Sequence, residues 1–401
     1  MSDSQLKTIT IDELLPGMYV HKISAQSGKV KMKSQGRVTR QAVVDTLKRR
    51  GVTSVTIDLS KAFEPTSELP EHPRPQTPTP AVPVKPEEKL TFQQEVVRAE
   101  RLHRKGKEIQ KQLLSAVRQG EKFDEKIPRE FTRAMIASID RNPDALVCMT
   151  KIREKDDYLL EHSLNVAIIL AHFARFLEMP DQAVEELAYS GFLHDIGKIR
   201  VPDEILHKPG KLNDMEMNIM RDHVYYGVRF LESMGMASHI TQTVGEHHER
   251  LDGYGYPNGS RGDEISREGR MLAIVDMYDA LTADRCYKAG MPGQKALQIL
   301  LNDSPEKLDR ELVQRFIKCM GVYPVGSLVK LSNERIAMVV RQSDSPLTPL
   351  VKVFYSLRGN HFLEPKDINL AQDDSVRIER AIMAGEYRIN FNAFFEKSIA
   401  I

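Results

Sequence analysis

Residues Gly245–Pro257 read GEHHERLDGYGYP. Two adjacent histidines close a segment whose periodicity predicts a helix, and a loop dense in glycine and tyrosine follows. Aromatic residues make up only 6% of the 401-residue chain, and tryptophan is absent. Taken alone, such a stretch fits a surface turn. It fits a metal site with a binding loop beside it if other donors along the chain converge on the same place.

Working outward, several segments offer such donors. In DYLLEHSLNVAIILAHFARFL (157–177), His162 shares a helical stripe with Val166 and Ile169, at spacings of four and seven. That stripe should face the core, where an imidazole needs a partner. His172 lies off the stripe and reads as structural. In FLHDIGKIRVPDEIL (192–206), His194 and Asp195 end an apolar helix and precede a glycine. A His-Asp pair can supply a nitrogen ligand and a bridging carboxylate. His223 lies beside apolar positions in MNIMRDHVYYGVRFL (217–231), and Asp276 interrupts the apolar run of RMLAIVDMYDALTADR (270–285). A carboxylate there is costly unless it is paired or coordinates a metal. With His247 and His248 the set becomes His162, His194, Asp195, His223, His247, His248 and Asp276. These N/O donors exceed the needs of one tetrahedral ion and suit two five- or six-coordinate ions bridged by Asp195. No cysteine joins them. The donor type favours iron or manganese, with zinc and nickel also open.

The rest of the chain sets the context. Lys+Arg number 57 against 56 Asp+Glu, so no global field favours a nucleic-acid polymer or an anionic membrane. The three scattered cysteines, Cys148, Cys286 and Cys319, fit a reduced compartment. The polar start MSDSQLKTIT lacks a signal-peptide apolar region, and VAIILA (166–171) is too short to cross a bilayer. A cytoplasmic protein is expected.

Prolines at 65, 70, 73, 75, 78, 80, 83 and 86 mark an extended linker over 65–90. Before it, 1–64 reads as a small α+β unit suited to regulation or docking: strands around ITIDELLPGMYV and VTSVTIDL, and a helix from a Thr39 cap to a Gly51 stop. After it, 91–320 is helical by periodicity, beginning with FQQEVVRAERLHRKGKEIQKQLLSAVRQ (92–119), which suits either a coiled-coil contact or simple packing. The N-terminal unit and this helix are the candidate surfaces for a homodimer or a signalling-protein partner. GVYPVGSLVKL, ERIAMVVRQ and LVKVFYSL predict a β-rich extension over 321–401. The fold class is mainly α.

In order and spacing, His162, HDIGK (194–198), His223, HHERLDGYGYP (247–257) and IVDMYDALTADRCY (274–287) resemble the HD-GYP branch of the HD-domain phosphohydrolases. The likeness is close over 150–290 and looser through GVYPVGSLVKL. ELLPGMYV resembles a small domain of undefined function often placed before HD-GYP domains. The resemblance implies an all-helical domain around a two- or three-metal centre, commonly iron. It implies hydrolysis of cyclic dinucleotides, above all cyclic di-GMP, by in-line attack of a metal-activated hydroxide to give linear pGpG and, with a second cut, GMP. All seven donors fall on family ligand positions. On this implication Asp195 bridges, His162, His194 and Asp276 hold one ion, and His223, His247 and His248 hold the other. Lys198 matches a lysine that contacts substrate phosphate; Tyr256, Arg285 and Lys288 match nucleotide contacts. Gly253 and Gly255 would permit positive φ and close backbone approach to the ligand, and Tyr256 would offer a purine a face to stack on.

Members with a third metal carry a glutamate one helical turn before the first histidine. Tyr158 stands there, so two ions are expected. Cys286 replaces the usual proline of DRPY, which leaves preference between cyclic di-GMP and cyclic GMP-AMP open. Glu249, Arg250 and Tyr254 have no assigned role. A degenerate cyclic-dinucleotide sensor would be marked by a missing ligand, and none is missing.

Overall fold

The computed structural model describes residues 6–15, 18–27, 36–38, 44, 47–49, 51–58, 89–151, 158–283, 290–343 and 345–387. The chain divides into two compact units, Met1–Val84 and Lys85–Ile401. The proline-rich stretch falls outside the described residues up to 88, as do Thr39, Arg285, Cys286 and Lys288.

The first unit holds β1 (Leu6–Thr10), β2 (Tyr19–Gln26), β3 (Gly36–Arg37) and β4 (Val52–Asp58), antiparallel in the order β1-β4-β2-β3. Residues 44 and 47–49 are helical. Val44 and Leu47 join Leu14, Val20, Val55 and Ile57 in a small core. Gly51 has φ +77, and a Cβ there would meet the Ser27 carbonyl oxygen at 2.5 Å. Only glycine makes this turn without strain.

The second unit opens with α1 (Phe92–Gln119), started by a Thr91–Gln94 capping box and ended by Gly120 at φ 75. Its apolar stripe, including Val96, Ala99, Ile109, Leu113 and Val117, is buried in the unit's own core. The helix therefore packs within its own chain, and the stripe is not free for a coiled coil. Then follow α2 (Lys126–Arg141), α3 (Pro143–Met149), α4 (Tyr158–Phe176), α5 (Asp181–Leu193), α6 (Asp203–Leu206), α7 (Asp214–Ser233), α8 (Ser238–Glu246), α9 (Arg267–Thr282), α10 (Gly293–Asp303) and α11 (Arg310–Met320). Helices α4 and α9 are apolar around most of their circumference, as befits central elements.

Two glycines set how closely these helices approach. A Cβ on Gly191 would lie 2.6 Å from Leu170 Cδ1, so α5 seats directly on α4. A Cβ on Gly197 would lie 2.0 Å from the His223 carbonyl oxygen and 2.4 Å from Gly227 N. The 3₁₀ turn Ile196–Arg200 thus crosses α7 at backbone contact, which places Asp195 beside His223.

After α11, β5 (Leu328–Leu331), β6 (Arg335–Arg341), β7 (Leu350–Ser356), β8 (His361–Asn369) and β9 (Ile378–Ile382) form an antiparallel sheet in the order β8-β7-β6-β5-β9. Ile336, Met338, Val351 and Phe354 belong to the same apolar cluster as the helices.

Candidate metal centre

Five helices and one turn deliver the donors. His162 lies early in α4, His194 caps the C-terminus of α5, Asp195 begins the 3₁₀ turn, His223 sits within α7, His247 caps α8, and Asp276 lies in α9. Capping positions suit such residues because the helix ends while the imidazole still points inward. The structure brings all seven predicted donors together. His162, His194, Asp195, His223 and His247 are at most 1% exposed, and Asp276 is 7% exposed. Donor atoms of His162, His194 and Asp276 lie within 4.8 Å of one another, as do those of His223, His247 and His248, and those of His194, Asp195 and His247. His172 stands apart from the cluster, and burial lowers its pKa to about 4.

The outer nitrogens are anchored. His194 Nδ1 lies 2.8 Å from the Gly191 carbonyl oxygen, His223 Nδ1 2.6 Å from that of Met220, and His247 Nδ1 2.6 Å from that of Val244. Each Nδ1–H therefore donates to a carbonyl three residues earlier, and each Nε2 lone pair faces inward. His162 Nδ1 is 2.8 Å from Asp279 Oδ2 and its Nε2 is 2.9 Å from Asp276 Oδ1. Asp195 Oδ1 reaches 3.4 Å from His223 Nε2 and 3.8 Å from His247 Nε2, while its Oδ2 lies 3.3 Å from His194 Nε2 and 3.5 Å from His162 Nε2. Lys198 Nζ contacts the same Oδ2.

Charge follows from this packing. Burial by itself would raise Asp195, but the adjoining His194 ring and the Lys198 ammonium outweigh it and hold the carboxyl well below its usual range. Asp276 is likewise held low against burial, chiefly by the His162 hydrogen bond. Burial and neighbouring charge lower His247, and burial above all takes His248 down to about 3, so both rings are neutral at pH 7. Burial also works against a charged His162, yet the Asp276 and Asp279 bonds push it up to about 9.

His194 Nε2 and Asp195 Oδ1 are buried without a hydrogen-bond partner. Buried polar atoms are almost always satisfied. An inward lone pair and an ionised oxygen left unsatisfied in one buried cluster fit a bound cation. The cluster is able to hold divalent metal, and its N/O composition suits iron, manganese, zinc or nickel.

The loop beyond His248 is built onto this cluster. Tyr256 N donates to the His248 carbonyl at 3.1 Å, and the two rings lie 4.6 Å apart. Gly253 takes φ +77, as expected of a turn glycine. Gly255 does not. Its missing Cβ makes room for backbone of residues 248–250, with Arg250 N at 2.5 Å. The missing Cβ seats the loop on its own chain, which corrects the expectation of positive φ. Tyr254 is 79% exposed.

Two carboxylates escaped the sequence reading. Asp279, fully buried, faces His162 from one helical turn after Asp276. Glu249, 3% exposed, accepts from Asn258 N at 2.6 Å and Ser260 N at 3.0 Å, closing the loop that carries Tyr256. The spacing of three from Asp276, and the place of Glu249 beside two donors, were the available signals.

Comparison with known proteins accords with this arrangement. The profile described as "HD domain" matches residues 146–312, a "domain of unknown function (DUF3391)" matches 6–126, and a "KOW domain associated with HD domain" matches 328–390. The chain is 34% identical over 369 residues to the Pseudomonas aeruginosa protein named cyclic di-GMP phosphodiesterase PA4108, covering 88% of this chain and 86% of that one. It is 38% identical to the Vibrio cholerae 3'3'-cGAMP-specific phosphodiesterase 3 over 42% of this chain and 37% of the relative. A solved HDG"Y"P protein, Bd1817 from Bdellovibrio bacteriovorus, aligns over 78% of this chain and 99% of its own at 14% identity, with TM-score 0.47. The fold and the donor cluster define an HD-type metal-dependent phosphohydrolase. Within that class, the chain belongs to the HD-GYP family of cyclic-dinucleotide phosphodiesterases.

Proposed function

We propose that this protein is a cytoplasmic phosphodiesterase that opens cyclic di-GMP to linear pGpG with two divalent ions, iron first among them. The observation that carries the reading is the inward convergence of seven N/O donors, two of them with orphaned atoms, beside Lys198 and Tyr256. The Pseudomonas relative, similar over most of both chains, supports the substrate. Helix lengths are compatible with the location: no helix among the described residues is long and apolar enough to cross a membrane.

His162, His194 and Asp276 would hold one ion, His223, His247 and His248 the other, and Asp195 would bridge them. Ions bound there lower the pKa of a water and stabilise charge on phosphate oxygens. The chain's own residues do the remainder. Lys198, 16% exposed at the edge of the cluster, presents its ammonium to a non-bridging phosphate oxygen. Tyr256, whose phenol burial keeps protonated, carries the base side of the pocket. Arg285 and Lys288 would complete the nucleotide contacts.

A second substrate, 3',3'-cyclic GMP-AMP, is favoured by the Vibrio relatives that carry it in their names. Chromatography of products from both dinucleotides, using protein loaded with iron, manganese or nickel, separates the readings. Absence of turnover with every metal overturns the enzymatic reading. One ion per chain in protein purified without added metal or oxygen overturns the dinuclear one.

A further inference from the structure

We propose that Arg221 is a substrate-binding residue whose guanidinium holds the phosphodiester that is not being cut. The inference takes its ligand, a cyclic dinucleotide, from the function proposed above.

Arg221 precedes His223 by two residues on α7, on the exposed flank of that helix. Its guanidinium carbon lies 5.2 Å from the centroid of the Tyr256 ring. That ring lies 4.6 Å from His248 and 6.5 Å from His223. A continuous set of rings therefore leads from the buried donors to one solvent-facing cation. The aromatic face fixes where the charge sits and leaves the N–H donors available, a use for which arginine suits better than lysine.

Among the described residues, other cations of this part of the chain are already paired. Lys208 pairs with Glu216 at 2.6 Å, Arg229 with Glu232 at 3.1 Å, and Lys198 contacts Asp195. Arg221 forms no ion pair among the described residues; its polar contact is Nη1 to Asn218 Oδ1 at 3.5 Å, at the outer limit of a hydrogen bond. An exposed, unpaired guanidinium parked on the ring next to a metal centre is a charge awaiting an anion.

The ligand supplies one. A cyclic dinucleotide carries two phosphodiesters, each with one negative charge. The reacting diester goes to the donor cluster and Lys198. The other cannot share that position and requires a separate cation, and Arg221 stands beside the ring at the edge of the pocket.

The test is titration calorimetry of the metal-loaded full chain with cyclic di-GMP at low salt, with turnover measured separately. R221A and R221Q should weaken binding about tenfold, the effect of one charge-assisted hydrogen bond at an accessible site. R221K keeps the charge but loses the stacked, multi-donor plane, so it should fall between wild type and R221Q, and the wild-type advantage over R221Q should shrink as salt screens it. Equal affinities for wild type and R221Q overturn the proposal. So does a wild-type advantage over R221Q that salt leaves unchanged, because a charge-held phosphate must be screened. A wild type that binds but does not cut, with binding weakened in R221Q, overturns the phosphodiesterase reading and supports Arg221 as the anion site.

Discussion

Replacing Asp279 asks how much of the centre's affinity comes from a residue outside the donor set. Its carboxylate is fully buried and takes the Nδ1–H of His162 at 2.8 Å. That bond aims Nε2 at the cluster and makes the ring a stronger donor. Loss of such a partner typically costs 10–100-fold in metal affinity, about 1.4–2.8 kcal/mol. Asp279→Ala also strands a buried N–H, for a further ~1–3 kcal/mol of stability. Asp279→Asn keeps an acceptor but loses the charge, so its loss should fall near the tenfold end.

The proton on His162 gives the prediction a second arm. Burial opposes that proton, but Asp276 and Asp279 raise the metal-free pKa to about 9. A folded-state pKa raised in this way means the imidazolium is retained until pH climbs through that value. Metal must displace a proton from Nε2, so apparent affinity rises with pH, by up to about tenfold per unit below the pKa. Removing the Asp279 charge lowers the pKa and weakens this competition. The wild type should therefore exceed Asp279→Asn by more at pH 8.5 than at pH 6.5. Chelator competition with Mn²⁺ at the two pH values measures the ratio. A ratio independent of pH, or an Asp279→Ala protein that binds as tightly as wild type, refutes the reasoning.

Gly197→Ala puts a Cβ 2.0 Å from the His223 carbonyl oxygen, a backbone atom that cannot swing away, so unfolding should show a loss of about 3 kcal/mol or more. Glu249→Ala removes the acceptor for Asn258 N and Ser260 N; limited proteolysis should cut the 254–260 loop faster while metal content is kept, and kcat/KM for the dinucleotide should fall about tenfold. Asp144 tests the fold rather than the site, since burial raises its carboxyl to about 7 against a partial opposing effect of Arg341. Its folded pKa exceeds the unfolded one, so the native state holds the extra proton and stability falls as pH rises from about 4 to about 7. The ceiling is about 4 kcal/mol, which partial exposure and the favourable helix N-terminus reduce to about 2. Asp144→Asn should thus gain stability in urea at pH 8, with the gain shrinking towards pH 4.

What could be read from the sequence followed from cost. Histidines and aspartates set into apolar, helix-periodic runs are expensive unless they converge, which is why His162, His194, Asp195, His223, His247, His248 and Asp276 could be grouped across more than a hundred positions. The capping box at Thr91 and the stop at Gly120 likewise bound α1 by local chemistry. Its partner did not follow, because an amphipathic stripe has the same pattern whether it meets another chain or its own core. Asp279 and Glu249 were missed for a related reason. A carboxylate that accepts from an imidazole or from loop amides carries no spacing signature of its own, and its meaning depends on which donors the fold brings to it.

Gly255 shows a second use of a glycine that the sequence argument did not weigh. A glycine in a tyrosine-rich loop suggests positive φ or a ligand at close range. In the structure the close neighbour is the chain itself, backbone of residues 248–250, and this seat lets Tyr256 N bond the His248 carbonyl. The consequence is mechanical: His248 and Tyr256 are joined by backbone as well as by ring contact. A displacement of the histidine donor therefore carries the tyrosine, against whose ring the guanidinium of Arg221 rests. Metal and nucleotide should accordingly bind with positive coupling, each strengthening the other by the same factor.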